Sequence, residues 1–423
     1  MTILLKHTDL VIEDSVIHGQ DILITDGIIT KIEANITDDV QQVIDCSGQT
    51  AFPAFFDMHT HLRDPGFLYK EDIESGTNAA LHGGFWGVCA MPNTDPVADS
   101  VPVVEYMIQK ADQYGYAKVF PVAAITKGLL GHELTEMMEL KAHGAVAVSD
   151  DGKPVSDSNT MRQALRYAHM AGLPVICHCE DLSLVNGGVM NEGATADRLG
   201  LRGITRAAEE AAVAREIILA KSYRVPVHIT HISTQGSVAL IRNAKQEGVS
   251  VTCDTCPHYF SLTDQACEGY NTPAKMNPPL RERADVAALI EGLRDGTVDA
   301  IATDHAPHHF DEKNVEFDHA LNGIIGLETS FAVACTYLYH TGQITLPRLA
   351  QLMSRTPCDI LHLTPAAIRV GCQANITVCD TKKIWTPTPE NTVSKSQNSP
   401  YFGTPLTGKV TTVITDGRLK LSE

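Results

Sequence analysis

The segment DMHTHLRDPG, residues 57–66, carries two histidines and an arginine at a spacing that suits metal and anion binding. Alternate side chains of a β-strand point to the same face, so His59 and His61 are expected side by side. Two imidazoles in that arrangement can ligate one divalent ion. Arg63 continues the alternation just beyond the strand end, where its guanidinium could pair with a carboxylate. Two hydrogen-bonded histidines at a strand end would give the same pattern, so the metal hypothesis needs further ligands.

Further ligand-type residues follow apolar runs elsewhere in the chain. If these runs are parallel strands of one barrel, their C-terminal ends meet on one face. Gathering this many titratable groups is costly unless they bind metal, and imidazole with carboxylate suits zinc-like ions. Six ligands with one shared carboxylate predict two ions. The additional candidates are Asp151 after GAVAVSD, His178 in LPVICHCE, His231 in VPVHITH and Asp304 in DAIATD.

The elements that must position these residues are short apolar runs, bounded by turn residues, in the middle of the chain. Most are apolar on both faces, which is typical of parallel strands covered by helices. Helical patterns such as ITRAAEEAAVAREIILAKSY lie between several of them. The alternation predicts a (β/α)8 barrel, whereas the competing doubly wound sheet lacks a glycine-rich phosphate loop. The runs are AFPAFFDMH, GFWGVCAMP, AKVFPVAAI, GAVAVSDD, LPVICHCE, VPVHITHIS, VSVTCDTC and DAIATDHA.

Two segments near opposite ends of the chain resemble each other. DILITDGIITKI and KVTTVITDGRLKL both alternate apolar and polar residues around an Asp-Gly pair, the strongest short signal for a β-hairpin. We therefore expect a small β-sandwich domain formed by both termini. The predicted division is sandwich at residues 1–52 and 366–423, with the barrel at residues 53–365.

The composition excludes several classes of partner. A net charge of -18 makes nucleic acid and anionic membranes poor partners. No apolar stretch is long enough to cross a bilayer, and the N-terminus does not resemble a signal peptide. Eleven scattered cysteines do not resemble a secreted disulfide framework. These features together predict a cytoplasmic protein.

Several motifs, taken in order, resemble one enzyme family. The series DMHTHLRDPG, MPNT, SDDG, HCED, THIS, KMNPPLR and DHAPH is similar to the dihydroorotases of the amidohydrolase superfamily. The nearest type is the long bacterial one, in which an aspartate bridges the metals. The histidine pair marks the superfamily, while HLR with MPNT and KMNPPLR points to dihydroorotases.

The resemblance implies an activity and a ligand set. The activity is the reversible cyclisation of N-carbamoyl-L-aspartate to L-dihydroorotate in de novo pyrimidine (UMP) biosynthesis. The cofactor is Zn²⁺, with two ions bridged by Asp151 and a hydroxide, and Asp304 is the general acid/base that moves the proton between the hydroxide and the ring nitrogen. The implied ligands are His59, His61 and Asp304 at the first ion, His178 and His231 at the second, and Asp151 between them.

The same resemblance implies the substrate contacts. Arg63, Asn93 and His308 would hold the substrate carboxylate, with His61 nearby. Asn277 and the backbone around Asn322 and Gly323 would contact the ring. Asn322 departs from the family, where an apolar residue or proline is typical, which puts the ring-contacting backbone in question.

Two alternatives remain open. A hydantoinase, allantoinase or dihydropyrimidinase would share the fold. These relatives, however, generally use a carboxylated lysine where Asp151 stands, and they lack an arginine after the histidine pair, where this chain has Arg63. A non-catalytic scaffold of the same fold would typically have lost metal ligands, and this chain keeps every expected position.

A homodimer is expected because two-fold dimers are the commonest assemblies, and association with aspartate carbamoyltransferase is a further possibility.

Overall fold

The computed structural model describes residues 1–422, and parallel strands in the middle of the chain lie between mostly antiparallel strands formed by its two ends. The first group is β1 (Thr2–Ile12), β2 (Ser15–Thr25), β3 (Ile28–Glu33), β4 (Gln42–Asp45) and β5 (Thr50–Pro53). The middle forms β6 (Phe55–Thr60), β7 (Phe85–Ala90), β8 (Lys118–Ala123), β9 (Ala147–Val148), β10 (Ile176–Cys177), β11 (Met190–Asn191), β12 (Gly203–Ile204), β13 (Val227–Ile229), β14 (Val251–Thr255) and β15 (Ala300–Ile301). The last group is β16 (Ile376–Trp385), β17 (Leu406–Thr415) and β18 (Arg418–Ser422).

The parallel strands close into a barrel. One parallel sheet has the order β6-β7-β8-β9 and a second has the order β10-β13-β14-β15. Single parallel bridges, Val148 to Val175 and Thr60 to His305, join the two sheets at both edges. Every residue of β6 and β7 is buried, as expected for strands that are covered on both faces. The predicted (β/α)8 barrel is confirmed, and each of its strands comes from one of the predicted apolar runs.

Helices cover the outside of the barrel, and their ends follow local capping rules. The Asp157 side chain accepts from Thr160 N at 2.7 Å at the start of α4. That helix ends at Gly172, whose φ of 67° is the left-handed conformation that glycine adopts readily. The helices are α1 (Ile73–His82), α2 (Val101–Tyr114), α3 (Met137–Ala142), α4 (Ser158–Ala171), α5 (Leu182–Val185), α6 (Ala194–Leu199), α7 (Ala207–Tyr223), α8 (Gln235–Gln246), α9 (Pro257–Ser261), α10 (Arg283–Asp295), α11 (Phe310–Lys313), α12 (Ser330–Ala334), α13 (Leu346–Ala350) and α14 (Thr356–Ile360). Among the described residues no helix is both long enough and apolar enough to cross a membrane.

The predicted helix at residues 204–223 begins later than the pattern indicated. Gly203 and Ile204 pair with β11 to form the short strand β12, so α7 starts at Ala207. Short 3-10 and π helices complete the list of elements. They are 3-10 turns at Lys127–Leu129, Asp264–Tyr270, Thr272–Ala274 and Pro389–Asn391, and π turns at Cys335–Tyr339 and Gln351–Arg355.

Strands from both ends of the chain form one sheet, with the order β18-β17-β16-β5-β1-β2-β3 and β4 paired to β1. The two Asp-Gly hairpins form as predicted, with positive φ at Asp26, Gly27, Asp416 and Gly417. Their tips touch, because a Cβ added at Gly417 would lie only 1.9 Å from Gly27 Cα. The small β domain assembled from both ends is confirmed, while its exact boundaries stay a prediction.

Candidate metal centre and substrate cleft

Six predicted ligand residues converge at the C-terminal ends of the barrel strands, where active sites of this architecture lie. Each side chain is at most 10% exposed, so the groups share a site largely removed from water. The structure brings all of them together. They are His59 and His61 at the end of β6, Asp151 after β9, His178 after β10, His231 after β13 and Asp304 after β15.

Asp151 lies between two groups of ligand atoms. On one side, Asp151 Oδ2 is 3.4 Å from His61 Nε2, and Asp304 Oδ1 is 3.0 Å from that same nitrogen. On the other side, Asp151 Oδ1 is 3.4 Å from both His178 Nδ1 and His231 Nε2. The same Oδ1 atom is 3.5 Å from His59 Nε2. The ligand atoms therefore form two groups, each compact enough to hold one metal ion, and the Asp151 carboxylate belongs to both.

The donor set fits divalent cations. His59 Nε2 is buried and has no hydrogen-bond partner among the described residues, which is rare and unfavourable for a polar atom. His178 Nδ1 and His231 Nε2 lie 3.0 Å apart, a distance at which one ring must donate a proton to the other unless both nitrogens bind a cation. Cations bound in the two groups would satisfy all three nitrogens. Imidazole nitrogen with carboxylate oxygen is the ligand chemistry of zinc and related ions.

Electrostatics keep the carboxylates ionised. Burial alone would raise the pKa of Asp304, but its hydrogen bond with His61 and the nearby His59 hold that pKa below its usual value. For His59, burial opposes the charged form, yet Asp151 outweighs it and raises the pKa to about 9. The acidic groups are thus ready to act as ligands, and a metal cation can take the place of the proton that they favour on His59.

Side chains behind the ligands fix their ring orientations. Thr230 Oγ1 lies 2.8 Å from His59 Nδ1 and donates to Asp254 Oδ2 at 3.0 Å. Asp254 Oδ1 also accepts from His231 N at 2.6 Å. Asn93 Oδ1 lies 2.9 Å from His61 Nδ1, which points the other nitrogen of that ring at the carboxylates. Partners of this kind set tautomer and ligand basicity in metal sites.

Three site residues adopt left-handed backbone conformations. Arg63, His231 and Asp304 have φ values of 61°, 40° and 47°. Such conformations cost free energy in non-glycine residues and persist where the surroundings impose them, often at functional sites. The hydrogen bond from His231 N to Asp254 is one such constraint.

Arg63 is a cation without an anionic partner at the rim of this centre. Its Nε donates to Pro307 O at 3.1 Å, its Nη2 lies 3.4 Å from His308 Nε2, and it forms no ion pair with the described carboxylates. Burial lowers the pKa of Arg63 to about 10, in spite of Asp304 nearby, so it remains charged at neutral pH. A guanidinium in this position is suited to bind a carboxylate from outside the chain.

The other predicted substrate contacts surround the same cleft. His308 Nε2 lies 2.7 Å from Asn322 O. Burial, with Arg63 close by, lowers the pKa of His308 to about 2, so its imidazole is neutral. At Gly323 the φ is 136° and an added Cβ would lie 2.7 Å from Ala306 Cβ, so only glycine fits. Asn277 contacts Glu180, two residues after the ligand His178, with its side-chain nitrogen 3.2 Å from Glu180 Oε2.

Sequence reasoning missed Asn398, which holds the rim of the cleft from the segment between β16 and β17. Its side chain is buried, and its Oδ1 accepts from His308 N at 3.1 Å. Its Nδ2 donates to Ala306 O and Gly323 O, both at 3.0 Å. No local pattern in KSQNSP indicates this role, because all three partners are distant in the chain. Thr230 and Asp254 were also missed, although an aspartate inside the apolar run VSVTCDTC signals a buried polar contact.

Comparison with known proteins gives three kinds of similarity. A protein-family model described as Dihydro-orotase-like matches residues 48–237. The curated dihydroorotase of Acetivibrio thermocellus is 52% identical over 403 residues, and that of Trichlorobacter lovleyi is 51% identical over 403 residues, in each case over 95% of both chains.

Solved structures of related enzymes share the architecture. The L-hydantoinase of Arthrobacter aurescens superposes with a TM-score of 0.89 at 23% identity, over 99% of this chain and 96% of that one. The dihydropyrimidinase of Brevibacillus agri gives a TM-score of 0.85 at 20% identity, over 100% and 95% of the two chains. At this level of identity the likeness supports the fold, a barrel with a small β domain, and carries no conclusion about substrate.

Proposed function

The chain belongs to the dihydroorotase family, and we propose that it catalyses the reversible cyclisation of N-carbamoyl-L-aspartate to L-dihydroorotate in the cleft beside Arg63. Curated relatives about half identical to the chain along nearly its whole length carry the name dihydroorotase. The enzyme is accordingly a hydrolase of a cyclic amide.

The observation that carries the substrate assignment is the unpaired guanidinium of Arg63 next to the cluster of metal-ligand side chains. Dihydroorotate and carbamoyl-aspartate both carry a carboxylate that takes no part in ring opening or closure and is free to pair with Arg63. A charged pair in a site removed from water orients a substrate and discriminates against one that lacks the carboxylate.

We propose Zn²⁺ as the cofactor, with two ions per subunit. The first would be held by His59, His61 and Asp304, the second by His178 and His231, with Asp151 between them. The partnerless His59 Nε2 and the close pair of His178 and His231 nitrogens support this assignment. Bound ions would supply an acidified water nucleophile and polarise the carbonyl that is attacked.

Asp304 is proposed to move the proton. Its carboxylate is ionised, buried and 3.0 Å from His61 Nε2, so it is held in place and able to accept. In hydrolysis Asp304 accepts a proton from the attacking water as the C–O bond forms. It then delivers that proton to the ring nitrogen as the C–N bond breaks. In cyclisation the same proton travels in the opposite direction, and water leaves.

Arg63, Asn93 and His308 are proposed to bind the substrate carboxylate. The Asn93 oxygen is engaged by His61, which leaves the Asn93 amide nitrogen as a donor toward the substrate. The Pro307 carbonyl fixes the direction of the Arg63 side chain through its Nε. Asn277 and the backbone at Asn322 and Gly323 are the proposed contacts to the ring.

Two other functions are less well supported. A hydantoinase or dihydropyrimidinase would share this fold, but its substrates give Arg63 no carboxylate to bind. A non-catalytic scaffold would have no use for six converging ligand side chains, two of which, His231 and Asp304, stand on left-handed backbone.

The reaction implies a setting for the protein. We propose a place in de novo UMP synthesis in the cytoplasm, a homodimeric assembly, and contact with aspartate carbamoyltransferase, the enzyme that makes carbamoyl-aspartate. Light scattering on the purified protein, alone and mixed with that transferase, tests both assemblies.

A single preparation separates the three candidate functions. We expect bound zinc, cyclisation of carbamoyl-aspartate, and much weaker hydrolysis of uncharged dihydrouracil. Preferential hydrolysis of dihydrouracil would support the dihydropyrimidinase alternative. Bound metal without turnover of either substrate would support the scaffold.

A further inference from the structure

Glu180 lies between the metal cluster and the substrate cleft. It follows β10 two residues after His178, and its side chain is only 10% exposed. Its Oε2 atom is 3.4 Å from His178 Nε2 and accepts from Asn277 Nδ2 at 3.2 Å. One carboxylate oxygen therefore contacts both a proposed metal ligand and a proposed substrate contact.

The chemistry of a carboxylate fixes the direction of both contacts. An ionised carboxylate only accepts hydrogen bonds, so His178 must present its Nε2–H and Asn277 its amide N–H. With Nε2 as the donor to Glu180, Nδ1 is the His178 nitrogen left to face Asp151, at 3.4 Å. The Asn277 amide is held in one orientation for the same reason. A rotation by 180° would place its oxygen against the carboxylate, and two acceptors repel each other.

The Asn277 oxygen is left without a partner. Asn277 Oδ1 is buried and accepts no hydrogen bond from the described residues. A buried acceptor without a donor is unfavourable and rare in folded proteins. A ligand N–H would satisfy it, and both dihydroorotate and carbamoyl-aspartate carry N–H groups next to a carbonyl.

We propose that Glu180 is a positioning residue that sets substrate preference through Asn277. By holding the Asn277 nitrogen, Glu180 presents the amide oxygen as an acceptor for an N–H of the ureide part of the substrate. The site thereby selects ureides with a free N–H over substrates with a substituted nitrogen or an ester oxygen at that place. This inference rests on the proposed function, because it takes dihydroorotate as the substrate.

Glu180→Gln tests the orientation with little change in volume. Glutamine can present either its oxygen or its NH2 group where Oε2 stands, so it no longer compels Asn277 to point its nitrogen that way. Asn277 can then turn its own oxygen inward and accept from that amide group, which removes the Asn277 oxygen from the substrate. We expect KM for L-dihydroorotate to rise about tenfold, the equivalent of about 1.4 kcal/mol, with kcat within about threefold of wild type.

A double-mutant cycle shows whether Glu180 acts through Asn277. Asn277→Ala should raise KM by a similar factor, and adding Glu180→Gln to it should change KM by less than about twofold, because the shared contact is already lost. Asp181→Asn is the matched control. It removes a neighbouring carboxylate that caps α5, and asparagine can cap as well, so its kinetics should match wild type.

Zinc affinity, measured by competition with a chelator, separates positioning of the substrate from support of the metal. Glu180→Gln should bind zinc within about threefold of wild type, since the contact between Glu180 Oε2 and His178 Nε2 is long, at 3.4 Å, and contributes little to holding the ring. An unchanged KM, additive effects in the double variant, or a loss of zinc that accounts for the kinetic change would each overturn the proposal. Wild-type protein without dihydroorotase activity would instead contradict the proposed function and leave no KM to compare.

Discussion

Thr230 Oγ1 lies 2.8 Å from His59 Nδ1, and this contact determines which nitrogen of His59 is free. A threonine hydroxyl has one proton, and Thr230 directs it to Asp254. The hydroxyl oxygen must therefore accept from His59 Nδ1–H. The opposite nitrogen, Nε2, faces the carboxylates of the metal cluster and is the nitrogen on which a metal ion would take the place of a proton.

This relationship predicts a defect in metal binding for Thr230→Val. Valine has nearly the shape of threonine but cannot accept from His59, so the ring loses its fixed tautomer and orientation. We expect zinc affinity to fall by about 10- to 100-fold, the usual effect of losing such a partner. Chelator competition at neutral pH measures it. Thr230→Ser keeps the hydroxyl and should bind zinc nearly as wild type does; equal losses in both variants would mean that packing, and not the hydrogen bond, matters.

Asp304→Asn should separate metal binding from catalysis. Asparagine can still offer an oxygen to a metal, whereas it cannot take a proton from water at neutral pH. We expect turnover of L-dihydroorotate to fall by at least about 100-fold, as is typical for loss of a general base, with the zinc content kept. Steady-state kinetics and metal analysis of the same sample measure both quantities. Activity close to that of wild type would remove Asp304 from the proton pathway.

Arg63→Met should act on the charged substrate only. Loss of a buried pair between a guanidinium and a carboxylate costs roughly 2–5 kcal/mol. The value of kcat/KM for L-dihydroorotate should therefore decrease by a factor between about thirty and several thousand. Hydrolysis of dihydrouracil, which lacks the carboxylate, should change little. A comparable loss with both substrates would indicate that Arg63 supports the fold of the cleft instead.

Asn398→Ala should weaken substrate binding from a distance. It releases three hydrogen bonds to the backbone at Ala306, His308 and Gly323, which line the carboxylate end of the cleft. We expect KM for L-dihydroorotate to rise about tenfold or more, since each tenfold step corresponds to about 1.4 kcal/mol. The zinc content should not change.

The neighbouring segment offers a control for that experiment. Asn391 also uses both ends of its amide, accepting from Thr388 N at 2.9 Å and donating to Thr386 O at 3.0 Å, but these contacts are local and exposed. Asn391→Ala should leave KM unchanged. If both variants raised KM equally, the effect would come from the whole segment between β16 and β17 and not from the three hydrogen bonds of Asn398.

The sequence was sufficient to predict the barrel and the convergence of the ligand residues. His178, His231 and Asp304 each end a short apolar run, and the topology of parallel strands alone carries such ends to one face. The Asp-Gly hairpins could be predicted for a similar reason, because the turn is determined by two adjacent residues.

The residues that orient the site could not be predicted in this way. Asp254 contacts His231 across neighbouring strands, at a separation of 23 residues, and Asn398 contacts His308 at a separation of 90. The first pairing depends on the register of β13 and β14. The second depends on the path that the segment between β16 and β17 takes beside His308. The left-handed conformations of His231 and Asp304 could not be predicted either, because positive φ is uncommon in any non-glycine residue and here depends on tertiary contacts.

The most direct test of the central claim is a crystal structure of the zinc-loaded protein with L-dihydroorotate, with the metals located by anomalous scattering at the zinc edge. We expect one zinc peak among His59, His61 and Asp304, a second beside His178 and His231, Asp151 between the two, and the ligand carboxylate paired with Arg63. Zinc bound elsewhere, or a ligand whose carboxylate points away from Arg63, would contradict it.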